Sequence, residues 1–227
     1  MVHLYSGSTT MHGSRNAGNI VAPLRTWANG TSTPPLAYHG GMDQAKFAVL
    51  DVETTSGDPT SGRVMEVAIL ALDGNAVRLR WDTLVDPRRP VPHFIRKLTG
   101  INDAMVKAAP FFVDVVRTIQ TLTEGRIIVA HNARFDMTAL EHEFARTGLI
   151  FDRPTLCTER LTRQLVPHLD HYNLGSICRY FGISFTSAHR AMNDAEATAS
   201  LFGKLLAEHG EERILATVSS WPRAIRA

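Results

Sequence analysis

Residues 47–55 read Phe47-Ala48-Val49-Leu50-Asp51-Val52-Glu53-Thr54-Thr55, an apolar run that closes with two acids. Side chains alternate between the faces of a β-strand, so the run predicts a buried strand with Asp51 and Glu53 on one face. A buried charge that lacks its partner costs about 3 to 5 kcal/mol. A divalent cation would remove this cost, because carboxylate oxygens are natural ligands of Mg²⁺ and Mn²⁺. A strand end at the surface, with solvated or arginine-paired acids, explains the pattern equally well.

The order of elements after this strand predicts the fold class. Two further strand-like runs occupy residues 64–72 and 77–85, and Asp73-Gly74 between them is a hairpin signal. Beyond residue 112, apolar spacing alternates between short strands and helices. The expected segments are helix 112–123, strand 126–130, helix 132–147 capped by Asn132, strand 155–158, helix 159–165, a helix after Asn173 and helix 190–209. This order predicts an α/β fold, in which a mixed sheet of a three-strand antiparallel meander plus parallel strands is flanked by helices.

The composition predicts one folded domain with two appendages. The chain has 227 residues, 44% of them hydrophobic, and a net charge of +2. Residues 1–44 are rich in Ser, Thr, Gly, Asn and Pro, which is typical of a flexible or loosely docked extension. The domain is expected to cover residues 45–209. In the tail, residues 210–227, the apolar side chains of Ile214, Leu215, Val218 and Trp221 have helical spacing, which suits a partner-binding helix or packing against the domain.

Membrane and secretory classes are disfavoured by the same sequence. No segment approaches the roughly 20 apolar residues of a membrane span, and no basic and then apolar segment resembles a secretory signal. We therefore expect a cytoplasmic protein without a membrane contact. The small positive charge is compatible with nucleic acid but does not require it.

Two more acids and a histidine stand where they could join the first pair. Asp136 lies in the first turn of a helix that follows a strand directly, and Asp194 lies in the first turns of the last long helix. Acids are common at such positions, because the helix dipole stabilises them by about 0.3 to 1 kcal/mol. His189 precedes that last helix, so its imidazole could overhang Asp194. A surface histidine before a helix is the alternative.

Three segments together resemble a known family. Asp51-Val52-Glu53-Thr54-Thr55, His131-Asn132-Ala133-Arg134-Phe135-Asp136 and His189-Arg190-Ala191-Met192-Asn193-Asp194 are similar, in order and context, to the three motifs of the DEDDh (DnaQ-like) 3′-to-5′ exonucleases. Within that family the chain is most similar to the proofreading epsilon subunits of bacterial DNA polymerase III. The resemblance runs from about residue 47 to residue 208. It implies a ribonuclease-H-like fold and an exonuclease domain at 45–209.

The resemblance also implies the chemistry. Asp51, Glu53, Asp136 and Asp194 would hold two Mg²⁺ or Mn²⁺ ions, which clamp the attacking and leaving oxygens of a phosphodiester. His189 would be the general base. A sister branch has a tyrosine four residues before the last acid, where this chain has Arg190, which stays protonated. The chain therefore fits the histidine branch, with nucleoside 5′-monophosphates released from a 3′ end.

The substrate and the partners are less defined by the sequence. The family implies that Thr54, Leu98, Ile101, His131 and Phe135 hold the terminal nucleotides, although core packing explains the apolar ones equally well. The expected substrate is a DNA 3′ end, single-stranded or frayed, in proofreading or repair. RNA trimming by the same chemistry and an inactive nucleic-acid-binding scaffold are the alternatives. A DNA polymerase subunit is the expected protein partner, through the C-terminal tail.

Overall fold

The computed structural model of the protein describes residues 45–185 and 188–221. All of them lie within Met42–Ala227, one of the two units into which the chain divides. The extension expected for residues 1–44 lies outside the described residues, as do residues 222–227 at the end of the predicted tail. Among the described residues, no helix combines the length and the apolar character needed to cross a membrane.

Five strands form a single mixed sheet in the described part of the chain. They are β1 (Lys46–Thr54), β2 (Val64–Asp73), β3 (Ala76–Leu84), β4 (Ile127–Ala130) and β5 (Thr155–Cys157). In the order β3-β2-β1-β4-β5, the first three strands are antiparallel neighbours, whereas β4 runs parallel to β1 and β5 runs parallel to β4. The predicted meander with added parallel strands is confirmed.

A two-residue turn joins β2 to β3 near the predicted Asp73-Gly74 signal. Asp73 pairs with Ala76, so Gly74 and Asn75 form the turn. Gly74 has a φ of 56°, a backbone region that glycine enters without a steric penalty because it lacks a Cβ atom. The tight turn makes the meander continuous and leaves β3 as one edge of the sheet.

Eight helices flank the sheet within the described residues. They are α1 (His93–Thr99), α2 (Asp103–Lys107), α3 (Phe112–Thr123), α4 (Ala133–Arg146), α5 (Thr158–Leu165), α6 (Leu174–Tyr180), α7 (Ala191–His209) and α8 (Glu211–Leu215). The predicted bounds of the helix at residues 112–123 are those observed, and the other predicted helices begin or end within one or two residues of the expected positions.

The alternation along β1 assigns its residues to two separate cores. Phe47 and Val49 pack with α7, where the Phe47 and Phe202 rings meet edge to face with centroids 4.8 Å apart. Leu50 and Val52 belong to the core on the other face, which includes side chains of α3 and α4. Because Asp51 and Glu53 continue the Phe47 and Val49 face, the strand presents both acids on the side of the sheet that α7 covers.

The predicted cap of α4 is wrong in its mechanism. Asn132 does occupy the position before the first residue of α4, but its side chain makes no capping hydrogen bond. Its backbone is left-handed, with φ 59° and ψ 45°, a conformation that asparagine tolerates better than most residues. This conformation lies in the two-residue turn, His131 and Asn132, that joins β4 to α4.

The described part of the tail packs against the domain. Helix α8 is only five residues long, and Ile214 is fully buried in the core beside α7. The predicted helical spacing of Val218 and Trp221 does not correspond to a helix, since the chain turns after Leu215 and then forms a single bridge to β5. There, Ser219 and Thr155 exchange two backbone hydrogen bonds of 2.7 and 3.0 Å. The apolar tail residues therefore serve the fold, at least as far as residue 221.

Candidate active site

Three elements deliver the four predicted acids to one end of the sheet. Asp51 and Glu53 lie near the carboxyl end of β1, and Glu53 is 9% exposed. Asp136, in the first turn of α4, is buried and accepts a hydrogen bond from the Val52 backbone N–H at 3.1 Å. This bond ties the start of α4 to the acid-bearing part of β1. Asp194, also buried, comes from the first turn of α7.

His189 meets the acids from the segment that enters α7. The His189 backbone N–H donates to Asp194 Oδ2 at 2.9 Å, while its side chain is exposed. Glu53, His189 and Asp194 each offer one potential ligand atom, and these three atoms all lie within 4.8 Å of one another. The structure thus brings Glu53 of β1 together with His189 and Asp194, which lie more than 130 residues further along the chain.

Burial and mutual repulsion make these carboxylates hard to ionise. Burial, with repulsion from Asp194 as the next cause, raises the pKa of Glu53 to about 8. Burial likewise raises the pKa of Asp136 to about 7 and that of Asp194 to about 6. The pKa of Asp51 is raised well above its usual range by burial and by the Asp136 and Asp194 charges. Each of these carboxylates that ionises therefore adds negative charge that its surroundings do not fully compensate.

The donor set fits a hard divalent cation. Asp194 Oδ1 is buried and has no hydrogen-bond partner among the described residues, although its other oxygen is bonded. A buried carboxylate oxygen without a donor is costly, and an ion would remove that cost. Carboxylate oxygens are the ligands that Mg²⁺ and Mn²⁺ prefer. The raised pKa values point the same way, because a cation stabilises the ionised forms.

An ion pair that the sequence analysis missed borders this cluster. Glu66 of β2 stands opposite Glu53 in the sheet register and is 1% exposed. Its carboxylate accepts hydrogen bonds from Arg190 Nη2 at 2.7 Å, from Arg190 Nε at 3.1 Å and from the Ala191 backbone N–H at 2.9 Å. A glutamate inside the apolar run of residues 64–72 was the available signal, because acids are almost never fully buried without a partner.

His131 and Thr54 are engaged within the protein. His131 Nε2 lies 2.9 Å from the Tyr172 carbonyl oxygen and Nδ1 lies 3.0 Å from Thr158 Oγ1. A carbonyl only accepts, so Nε2 carries the hydrogen and Nδ1 accepts from the threonine. Burial lowers the pKa of His131, which favours this neutral form. Thr54 is 4% exposed, and its hydroxyl donates to the Ser56 carbonyl oxygen.

The predicted apolar contacts differ in what they can reach. Leu98, near the end of α1, is 40% exposed, and Phe135 of α4 is half-buried against the core. Ile101 is fully buried in a small cluster with Met65, Val91, Ile95 and Val106, so its side chain presents no surface to a substrate. The structure therefore leaves Leu98 and Phe135 as the accessible members of the set.

Comparisons with known structures agree with this fold. An exonuclease X bound to 5′-overhanging duplex DNA superposes with a TM-score of 0.63 at 24% identity, covering 75% of this chain and 98% of that one. Exonuclease I of E. coli, in complex with a dA16 oligonucleotide, gives a TM-score of 0.67 at 20% identity, covering 76% of this chain and 42% of that one. These likenesses show a ribonuclease-H-like exonuclease fold.

Sequence comparisons identify the family. A DNA polymerase III of PolC type from Caldanaerobacter subterraneus is 33% identical over 163 residues, which are 72% of this chain but only 12% of the polymerase. The DNA polymerase III subunit epsilon of Aquifex aeolicus is 33% identical over 179 residues, covering 78% of this chain and 89% of that subunit. The sequence model of the RNase_T exonuclease family matches residues 48–202. The chain therefore belongs to this exonuclease family, together with the DnaQ-like epsilon subunits.

Proposed function

We propose that the protein is a metal-dependent 3′-to-5′ exonuclease that releases nucleoside 5′-monophosphates from DNA, in proofreading or repair. The observation that carries the proposal is the meeting of Glu53, His189 and Asp194 within 4.8 Å, beside Asp51 and Asp136. A chain of this exonuclease family that places an imidazole over uncompensated carboxylates has the parts that phosphodiester hydrolysis requires.

Asp51, Glu53, Asp136 and Asp194 would hold two Mg²⁺ or Mn²⁺ ions. When bound, divalent ions supply charge stabilisation for the phosphate oxygens and favour ionisation of the attacking water. Asp136 also has a structural role, since it accepts a hydrogen bond from the Val52 N–H and thereby ties α4 to β1.

His189 would act as the general base that accepts a proton from the attacking water. Its exposed side chain can reach a substrate at the surface, while its backbone N–H is bonded to Asp194 Oδ2. That bond holds the His189 backbone next to Asp194. General bases of this kind contribute about 10²- to 10⁴-fold to rates.

Leu98 and Phe135 would contact the terminal nucleotides with apolar surface, which accepts any base. Thr54 and His131, which the sequence also predicted as contacts, would act mainly by holding the ends of β1 and β4 in place, given their internal hydrogen bonds. Ile101 would support the segment around Leu98 from the core.

DNA is the proposed substrate because the sequence relatives are named as DNA polymerase parts. The chain spans about an eighth of the PolC-type polymerases that it matches, 12% and 13% of two of them, so a role beside a polymerase is also a proposal. The buried Ile214 makes α8 a poor docking surface for that polymerase. A nucleic-acid substrate accords with the cytoplasmic location expected from the sequence.

The test is a time course on 3′-matched DNA, 3′-mismatched DNA and RNA of one sequence, each labelled at its 5′ end, with Mg²⁺ or Mn²⁺. We expect DNA to shorten stepwise from its 3′ end, faster when mismatched, and Glu53→Gln to be inactive as the matched control. Preference for RNA would replace the proofreading role with RNA trimming. No cleavage of any substrate would indicate a scaffold.

A further inference from the structure

The segment that carries His189 is held in an unusual backbone conformation. His189 has a φ of 65°, a left-handed region that only a few per cent of residues other than glycine adopt. Such conformations persist only where surrounding contacts enforce them, and they concentrate at functional sites. The neighbouring amides show what enforces this one. The His189 N–H donates to Asp194, and the Ala191 N–H donates to Glu66.

Glu66 supplies the cap that α7 lacks in its own sequence. Arg190, the residue before α7, makes no capping hydrogen bond with its side chain. The first amide of the helix, at Ala191, is instead satisfied by the Glu66 carboxylate from β2. The Arg190 side chain binds the same carboxylate through Nε and Nη2. One residue of the sheet therefore fixes both the side chain and the backbone directly after His189.

We propose that the Glu66–Arg190 pair positions His189, by fixing the left-handed turn that holds the imidazole over Glu53 and Asp194. Arg190 and Glu66 are then positioning residues, which act through the histidine. This inference rests on the proposed function, since it assigns His189 the role of the base.

The positive charge of Arg190 also suits a position beside the acid cluster. Glu66 lies opposite Glu53 in the sheet, so an uncompensated Glu66 would add a further negative charge to the cluster. The Arg190 charge compensates Glu66 and opposes the rise in the Glu53 pKa. A neutral hydrogen-bond donor at position 190 could hold the turn but would leave Glu66 unbalanced.

A second pair with the same pattern provides a matched control. Arg63 donates to Glu143 through Nε at 2.7 Å and Nη2 at 3.1 Å, and the next amide, at Val64, donates to the same carboxylate at 3.1 Å. Glu143 is 2% exposed. This pair joins the start of β2 to α4, and no interaction with His189 is part of it.

The experiment is a double-mutant cycle of Arg190→Ala and His189→Ala, read as kcat and KM on single-stranded DNA with Mg²⁺. We expect Arg190→Ala alone to lower kcat about 10- to 100-fold, because a small displacement of a catalytic group has an effect of this size, while KM changes less than about threefold. In the His189→Ala background the same change should lower kcat less than about threefold. Losses that multiply in the two backgrounds would overturn the proposal.

Three further measurements keep the result interpretable. Arg190→Lys and the isosteric Glu66→Gln should give intermediate losses of kcat, and they replace Arg190→Ala if that variant does not fold. Amide hydrogen exchange at His189 and Ala191 should accelerate in every Glu66 or Arg190 variant, and unchanged exchange would count against the proposal. Arg63→Ala should lower the melting temperature and leave kcat of the folded protein within about twofold. If Arg63→Ala lost as much kcat as Arg190→Ala, the loss in Arg190→Ala would reflect general destabilisation.

The cycle also separates this inference from the proposed function. If the wild-type protein cleaves no nucleic acid, the proposed function fails. If the wild-type protein is active and the two losses multiply, only the positioning role fails.

Discussion

The two buried glutamates, Glu143 and Glu66, have nearly identical bonds and very different neighbours. Each accepts from an arginine through two nitrogens and from the amide that follows that arginine. Around Glu143 the remaining neighbour is a second cation, with Arg146 Nη1 at 3.7 Å. Around Glu66 the neighbours are Glu53, Asp51 and Asp194. The same protein thus compensates a buried acid in one place and leaves several acids uncompensated in another, which makes the second place the candidate cation site.

Neutralising one acid of the uncompensated cluster should have the largest effect of all. We expect Glu53→Gln or Asp51→Asn to lower activity by about 10³-fold or more, since metal ions supply several kcal/mol to such reactions. At a pH above about 8, where Glu53 is ionised, Glu53→Gln should also raise the melting temperature of the metal-free protein, because it removes repulsion. Thermal melts with EDTA, beside activity assays with Mg²⁺, measure both effects.

Glu143→Gln is the matched control for that prediction. It should lower the melting temperature, because Glu143 is already paired with Arg63 and the change removes a favourable interaction. If Glu53→Gln destabilised the metal-free protein as Glu143→Gln does, the acids of the site would be compensated after all, and the contrast between the two glutamates would be lost.

Replacing His189 should have the next largest effect. We expect His189→Ala to lower kcat about 10²- to 10⁴-fold, the range for a general base, with little change in the melting temperature because the side chain is exposed. Single-turnover cleavage of a 5′-labelled oligonucleotide measures the loss. A loss below about threefold would remove the histidine from the chemistry and leave the acids as the whole site.

Breaking the Arg63–Glu143 ion pair should lower the stability of the protein and leave its reaction rate unchanged. Arg63→Ala leaves buried Glu143 with the Val64 amide and the more distant Arg146 cation, so we expect a loss of about 3 kcal/mol in the free energy of unfolding. Urea denaturation measures this loss. The folded fraction should digest DNA at the wild-type rate, and a large fall in its kcat would show that both pairs serve the site.

The remaining prediction is a dependence of stability on pH. The folded-state pKa of Glu53 is raised from 4.5 to about 8 and that of Asp194 from 3.8 to about 6. A raised carboxyl pKa favours the fold at low pH, and that advantage is lost as the pH rises through the folded-state pKa. The melting temperature of the metal-free protein should therefore fall between about pH 4 and pH 8, by about 2 to 4 °C per kcal/mol.

The matched variant for the pH prediction is Glu53→Gln, whose melting temperature should change less over the same range. Added Mg²⁺ or Mn²⁺ should stabilise the wild-type protein more at pH 8 than at pH 5, because ionised acids bind the ion. A wild-type melting temperature that rises with pH in EDTA would contradict the raised pKa values.

The sequence predicted those parts of the molecule that local patterns encode. Alternation placed Asp51 and Glu53 on one face of β1, and helical spacing placed Asp194 in the first turns of the last long helix. It did not reveal the partner of Glu66, because Arg190 lies 124 positions away and no local pattern carries that pairing. The left-handed backbone of Asn132 and the short α8 were missed for a related reason, since packing against the sheet overrides local preference there.

The most direct test of the central claim is digestion of a 5′-labelled single-stranded DNA by protein first stripped with EDTA and then supplied with Mg²⁺ or Mn²⁺. The uncompensated cluster around Glu53 and Asp194 predicts no cleavage in EDTA and, once the ion is restored, stepwise shortening from the 3′ end with release of nucleoside 5′-monophosphates. Cleavage that persists under full chelation, or early release of the labelled 5′ nucleotide, would contradict it.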